Sequence, residues 1–148
     1  MGVAKASVVI ERSTADVFDI LSHVENVPKW NRNAIEVTLL TPGPMRVGSR
    51  RRVVARRFGG GTQTNEAEMV EIVPNERMVV KSVSGPFEWR ALIEFRNEPE
   101  GMRLDWTWTF ERPGGLYGLV SPILPSLMRR EFQRDLEDLK RLMEAGLL

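Results

Sequence analysis

Four tryptophans and a cluster of arginines are the residues of this chain best equipped to meet a ligand. Trp30, Trp89, Trp106 and Trp108 each offer a large apolar ring and one N–H donor. Aromatic residues on the inward face of a strand can fill a core or wall an apolar ligand cavity, and the two roles are compatible. Arg50, Arg51, Arg52, Arg56 and Arg57 fall in one stretch. Strand alternation puts Ser49, Arg51, Val53, Ala55 and Arg57 on one face and Arg50, Arg52, Val54, Arg56 and Phe58 on the other. An arginine turned into a core needs a partner, either Glu66 or Glu68 of the following segment or an anionic group of a ligand. Turned outward, the same arginines make a solvated basic strand face, and a bulge can shift the register between the two.

Other chemistry is sparse. The single histidine, His23, ends a short helical segment and reads as a surface residue favoured by the helix dipole rather than as a general base. Thr64, Glu66 and Glu68 alternate with Ala67 and Met69, so an inward Ala67 and Met69 leave the acids in water. An inward glutamate would instead be a candidate acid with a raised pKa. Walker A, HExxH and GxSxG signatures are missing. Gly59-Gly60-Gly61-Thr62 lacks the phosphate-loop lysine and reads as a hairpin turn. With no cysteine and one histidine, neither a disulfide nor a metal site is expected, and no cofactor is called for.

These residues must be positioned by strands and one long helix. From Ser121 to Gly146, Leu124, Leu127, Met128, Phe132, Leu136, Leu139, Leu142 and Met143 recur at steps of three and four, an amphipathic helix with Ser121 as N-cap, Gly146 as stop and Pro125 bending its first turn. Its polar face carries Arg129, Arg130, Arg134, Asp135, Glu137, Asp138, Lys140 and Arg141. Val3–Glu11 reads as a strand, followed by a helix capped at Ser13 or Thr14 and a second short helix or turn through Val24–Asn33. Six further strands follow: Ala34–Thr41, Ser49–Phe58, Thr62–Val73, Met78–Ser84, Phe87–Asn97 and Met102–Glu111, punctuated by Gly and Pro. In the last two, Phe87, Trp89, Ala91, Ile93 and Phe95, and Met102, Leu104, Trp106, Trp108 and Phe110, alternate with polar residues. That is a sheet with one wet face, and its apolar face must meet the long helix.

Composition narrows the function. The 148 residues are expected to form one domain, 1–148, with a real core. Twenty-one Lys and Arg against 20 Asp and Glu argue against a nucleic-acid binder. Met1–Ser7 has no signal-peptide core, and Leu116–Met128 is too short and too broken to span a bilayer, so a cytoplasmic protein without an integral membrane segment is expected. Leu116–Val120 reads as a packed entrance to the long helix, with a mobile gate or membrane-touching patch as the alternatives.

Order and residues together resemble a known family. Ser7-Val8-Val9-Ile10-Glu11 leads to Ala15-Asp16-Val17-Phe18-Asp19-Ile20-Leu21, then Val27-Pro28-Lys29-Trp30-Asn31, Val47-Gly48-Ser49-Arg50, Val70-Glu71-Ile72-Val73-Pro74 with Arg77, and the helix Arg130 to Lys140. Over nearly its whole length the chain is similar to the polyketide cyclase/dehydrase branch of the START-like, birch-allergen-like superfamily (SRPBCC). The resemblance implies an α+β helix-grip fold: a seven-stranded antiparallel sheet wrapped around the C-terminal helix, with two short helices between strands 1 and 2. It also implies a cavity for lipids, polyketides or other apolar molecules. Trp30 looks similar to a tryptophan the family places near the cavity entrance. Where the family has an apolar or aromatic residue this chain has Arg51, which places Arg51 and Val53 inward.

The expected ligand-facing set is therefore Trp30, Arg51, Val53, Met69, Trp89, Trp106, Trp108, Leu124 and Met128, with no catalytic residue identified. Three functions fit. One is binding or transport of an apolar small molecule. The second is a polyketide aromatase/cyclase or dehydratase, disfavoured by the few titratable groups expected inward: Arg51, Arg57 and at most one glutamate. The third is an interaction module with a vestigial cavity, which a cavity filled by the tryptophans would favour. A homodimer is compatible with all three.

Overall fold

The computed structural model describes residues 2–57, 60–85, 88–111 and 124–148, the first two of the last segment by main chain alone. The order is β1 (Gly2–Ile10), α1 (Thr14–Ser22), a 3-10 turn (Val24–Asn26), α2 (Val27–Trp30), β2 (Ala34–Leu39), β3 (Arg50–Arg56), β4 (Thr62–Val73), β5 (Arg77–Ser84), β6 (Trp89–Glu98), β7 (Gly101–Phe110) and α3 (Leu124–Glu144). The strands form one antiparallel sheet in the order β1-β7-β6-β5-β4-β3-β2. It is the expected α+β helix-grip arrangement, a curled sheet gripping the C-terminal helix.

Local signals explain the elements. Ser13 caps α1 by accepting the Asp16 N–H at 3.1 Å. Val17 and Leu21, four residues apart, are its buried side. Asn31 ends α2, and its side-chain oxygen accepts the N–H groups of Asn33 and Ala34, turning the chain into β2. Gly101 starts β7 at φ 139°, where a Cβ would lie 2.2 Å from the Ile10 carbonyl oxygen; no other residue fits that approach. The helix stop at Gly146 (φ 73°) is as expected. Its N–H donates to the Met143 carbonyl and that of Leu147 to Leu142, the paired closure of a Schellman motif. Ser121, the gate segment Leu116–Val120, Phe58, Gly59 and Phe87 lie outside the described residues. The backbone around Gly60 and Gly61 closes the β3–β4 connection as a turn, with Arg57 N–H donating to Gly61 O.

The core is the inner face of the sheet against α3. Ile10, Met78, Met102, Leu104, Leu136, Leu139 and Met143 are the largest fully buried side chains, with Val17 from α1. Leu127, assigned to the apolar stripe, is instead 38 % exposed. The stripe's contact with the sheet lies further along the helix. There α3 also lies against the free edge of β1. Gln133 accepts the Ser7 N–H (3.2 Å) and donates to the Ser7 carbonyl (2.8 Å). Lys140 donates to the Val9 carbonyl (2.6 Å), and Glu144 accepts the Glu11 N–H (2.9 Å). Helix side chains thus take the backbone groups that an edge strand leaves open.

Candidate functional site

Strand pairing fixes which side chains share the inner face. Arg51 opposes Leu39 of β2 and Ala67 of β4, and Ala67 opposes Ser82 of β5. One place beyond the paired residues of β5 and β6, the Trp89 N–H donates to the Ser82 hydroxyl at 3.0 Å. Trp89 in turn opposes Phe110 of β7, and Phe110 opposes Gly2 of β1. Leu39, Arg51, Ala67, Ser82, Trp89 and Phe110 therefore form one row across the sheet. Its middle members are small and its ends are large.

Arg51 points inward, as the resemblance implied. Neither glutamate proposed as its partner reaches it. In the β3–β4 register Glu66 opposes Arg52 and Glu68 opposes Arg50, on the outer face. Glu68 is held by Arg50 at 3.2 Å and by Lys81 at 3.8 Å. Alternation accounts for this: a strand cannot turn residues 66 and 68 to the face that carries Ala67 and Met69. The Arg51 Nε is buried and has no hydrogen-bond partner among the described residues. Burial alone lowers its pKa to about 10. No carboxylate can come from the undescribed segments either, because their sequence contains no Asp or Glu. Beside Arg51 is a void of about 10 Å³, the space of one water, lined by Leu39, Met45, Ser49, Ala67, Met69 and Val80. Ser49 is buried, and its oxygen accepts the Arg46 N–H at 3.0 Å. Met45 and Met69 are unbranched and can repack around an occupant.

The tryptophans divide into two groups. Trp89 lies 4.6 Å from Trp108 between ring centroids, and Trp108 lies 4.6 Å from Phe132 of α3, nearly parallel. This stack joins sheet to helix. Trp30 from α2 tilts against Trp106 at 5.8 Å. Both of these indole nitrogens are buried and without a hydrogen-bond partner among the described residues. A second, open groove of about 520 Å³ lies over the ends of β5, β6 and β7, with Ser82, Trp89 and Phe110 from the inner face and Lys81, Arg90 and Thr109 from the outer.

α3 also buries a charged group that its residue type had assigned to the polar face. Asp135, assigned to the polar face, is 4 % exposed. It accepts the Arg32 N–H at 3.3 Å, and burial pushes its carboxyl up to about 6, with Glu131 and Asp138 nearby adding to the rise. Asp135 lies three residues after Phe132 and four before Leu139, both in the apolar stripe, and that spacing was its signal. Its neighbours Asp138 and Glu131 hold the same corner from outside, Asp138 to Arg32 at 2.8 Å and Glu131 to Asn33 at 2.8 Å.

Among the other expected residues, Val53 is half-buried on the inner face and Met69 is buried against the Arg51 void. Met128 is half-buried on α3, and the side chain of Leu124 lies outside the described residues. Arg57, expected inward, is exposed just past the end of β3. His23 is exposed, its ring nitrogen 2.7 Å from the Asp19 carbonyl. Among the described residues no group of three His, Cys, Asp or Glu is placed to hold a metal, and no helix is long and apolar enough to cross a membrane.

Comparison with curated protein sequences finds no match. Solved structures share the fold. TTHA0849 from Thermus thermophilus superposes with a TM-score of 0.83 at 20 % identity, covering 97 % of this chain and 98 % of that one. DR_A0006 from Deinococcus radiodurans gives 0.71 at 22 %, covering 99 % of each. The di-domain ARO/CYC StfQ from the steffimycin biosynthetic pathway gives 0.74 at 13 %, covering 98 % of this chain and 51 % of that one. The family model described as polyketide cyclase / dehydrase and lipid transport matches residues 1–144, and the chain belongs to that family.

Proposed function

We propose that this protein binds an apolar small molecule, lipid-like or polyketide-like, between the inner face of the sheet and α3, and can carry it through the cytoplasm. The observation behind this reading is the set of buried side-chain donors without partners among the described residues: Arg51 Nε, Trp30 Nε1 and Trp106 Nε1. Buried polar atoms in a finished core are nearly always hydrogen-bonded, and each orphan costs about 1–3 kcal/mol. Three such orphans favour an occupant that supplies acceptors. Native mass spectrometry of freshly purified protein, followed by denaturing release, tests the reading. A co-purifying apolar molecule of defined mass is expected. A clean apo mass, with no thermal shift from fatty acids, sterols and aromatic polyketides, would overturn it in favour of an interaction module.

Asp135 favours a second reading, an aromatase/cyclase or dehydratase. A buried carboxyl with a pKa near 6 is suited to proton transfer close to neutral pH. On that reading Asp135→Asn abolishes turnover of a poly-keto substrate while leaving its binding intact. Unchanged turnover would exclude Asp135 from the chemistry.

A further inference from the structure

The row Leu39–Arg51–Ala67–Ser82–Trp89–Phe110 specifies more about the occupant, on the premise that a small molecule binds in this space. Arg51 is an inward, half-buried cation whose Nε is buried and whose strand neighbours on the inner face carry no charge. At the far end of the row Ser82, Trp89 and Phe110 also line the 520 Å³ groove, together with Glu88 and Glu111. Ala67 and Ser82 leave the floor low between a charged end and an aromatic end. From β3 to β7 the row crosses four strand spacings, roughly 19 Å measured along the sheet. Among the described residues the orphaned buried side-chain atoms are all donors. An inward cation with no carboxylate partner selects against a cationic headgroup and for an oxyanion.

We infer that the ligand is an elongated apolar carboxylic acid, its carboxylate paired with Arg51 and its body lying over Ala67 and Ser82 toward Trp89 and Phe110. The carboxylate is the countercharge that Arg51 lacks, and its planar pair of oxygens fits the guanidinium fork. Pairing in a buried site makes the charge decisive. The neutral ester, with the same body, leaves Arg51 as it is in the empty protein and gains only the apolar contacts.

The test uses the whole chain with cis-parinaric acid and its methyl ester, read by energy transfer from tryptophan to the polyene. The acid is expected to bind at least tenfold more tightly than the ester. Arg51→Gln removes that preference and leaves the ester's affinity unchanged, whereas the outward-facing Arg52→Gln preserves it. Ser82→Leu, which raises the floor of the row, weakens acid and ester together. Without ligand, Arg51→Met is expected to raise the melting temperature, because it removes an inward charge that no carboxylate pairs and whose buried Nε has no partner among the described residues. Equal affinities for acid and ester in the native protein, or an Arg51→Gln variant that keeps the preference, overturn the inference. Binding of the ester, or of a sterol, without the acid overturns it while leaving small-molecule binding standing. Failure of every apolar probe overturns both.

Discussion

The two halves of α3 face very different surroundings. Along its C-terminal half Leu136, Leu139 and Met143 are buried in one cluster with Ile10, Met102 and Leu104, and Lys140 and Glu144 bind the edge of β1. Along its N-terminal half Leu127 is exposed, Met128 and Phe132 are half-buried, and Phe132 stacks on Trp108. One half is a core in the ordinary sense. The other is an aromatic wall beside a row that carries an unpaired cation. The same helix therefore packs closely at one end and more loosely at the other. A substitution's effect should depend on which half it falls in more than on its chemistry.

The largest effect expected from that contrast is at Leu139, which has no exposed surface. Leu139→Ala should cost about 3 kcal/mol, lowering Tm by roughly 10 °C in thermal unfolding. A loss below about 1 kcal/mol would mean that the C-terminal half is not the sealed core described here. Asp135 sits between the halves and makes the comparison depend on pH. Its carboxyl is raised from 3.8 to about 6, so the folded chain holds a proton there that the unfolded chain has lost. Its contribution to stability is most favourable below about pH 4, falls as pH rises to 6, and is fully unfavourable above that. Asp135→Asn keeps the acceptor for the Arg32 N–H and carries no charge. It should raise Tm by about 3 °C at pH 8 and by little at pH 4. A gain of equal size at both pH values would refute the assignment of burial as the cause.

Smaller effects sharpen the contrast. Lys140→Met removes the donor to the Val9 carbonyl and should cost about 1 kcal/mol in urea unfolding. Leu127→Ala, in the looser half, should stay within about 0.5 kcal/mol despite being the same kind of truncation as Leu139→Ala. A Leu127 variant as damaging as the Leu139 one would erase the distinction between the halves.

Much of the fold was legible because periodicity is a local signal. The alternation in β6 and β7 and the three-and-four spacing of α3 carry their own faces, and the bounds expected for Thr62–Val73 are those observed. The inward turn of Arg51 followed from alternation together with the family pattern. Asp135 was misread because residue type was allowed to outweigh its position between Phe132 and Leu139. The row through Arg51 was not legible at all. It depends on the mutual register of six strands, and β4 slips against β5 between Glu66 and Ala67 and again between Met69 and Glu71. No pattern within one strand reports such offsets. The orphaned indole nitrogens are likewise a property of three-dimensional packing, invisible in a list of tryptophans.

The side chains that close the edge of β1 have a further consequence for how motion in this molecule can be observed. The Ser7 and Glu11 amides are held by Gln133 and Glu144, not by another strand. Exchange of these two protons with solvent requires α3 to lift from the edge, whereas exchange of the amides that pair β1 with β7 requires the sheet itself to part. The two sets of protons are thus separate clocks, one for undocking of the helix and one for global unfolding. Ser7 lies toward the looser half of the helix and Glu11 toward the sealed half. A Ser7 amide that exchanges much faster than that of Glu11 would show the helix peeling from its N-terminal end, and would give the direction from which a ligand enters.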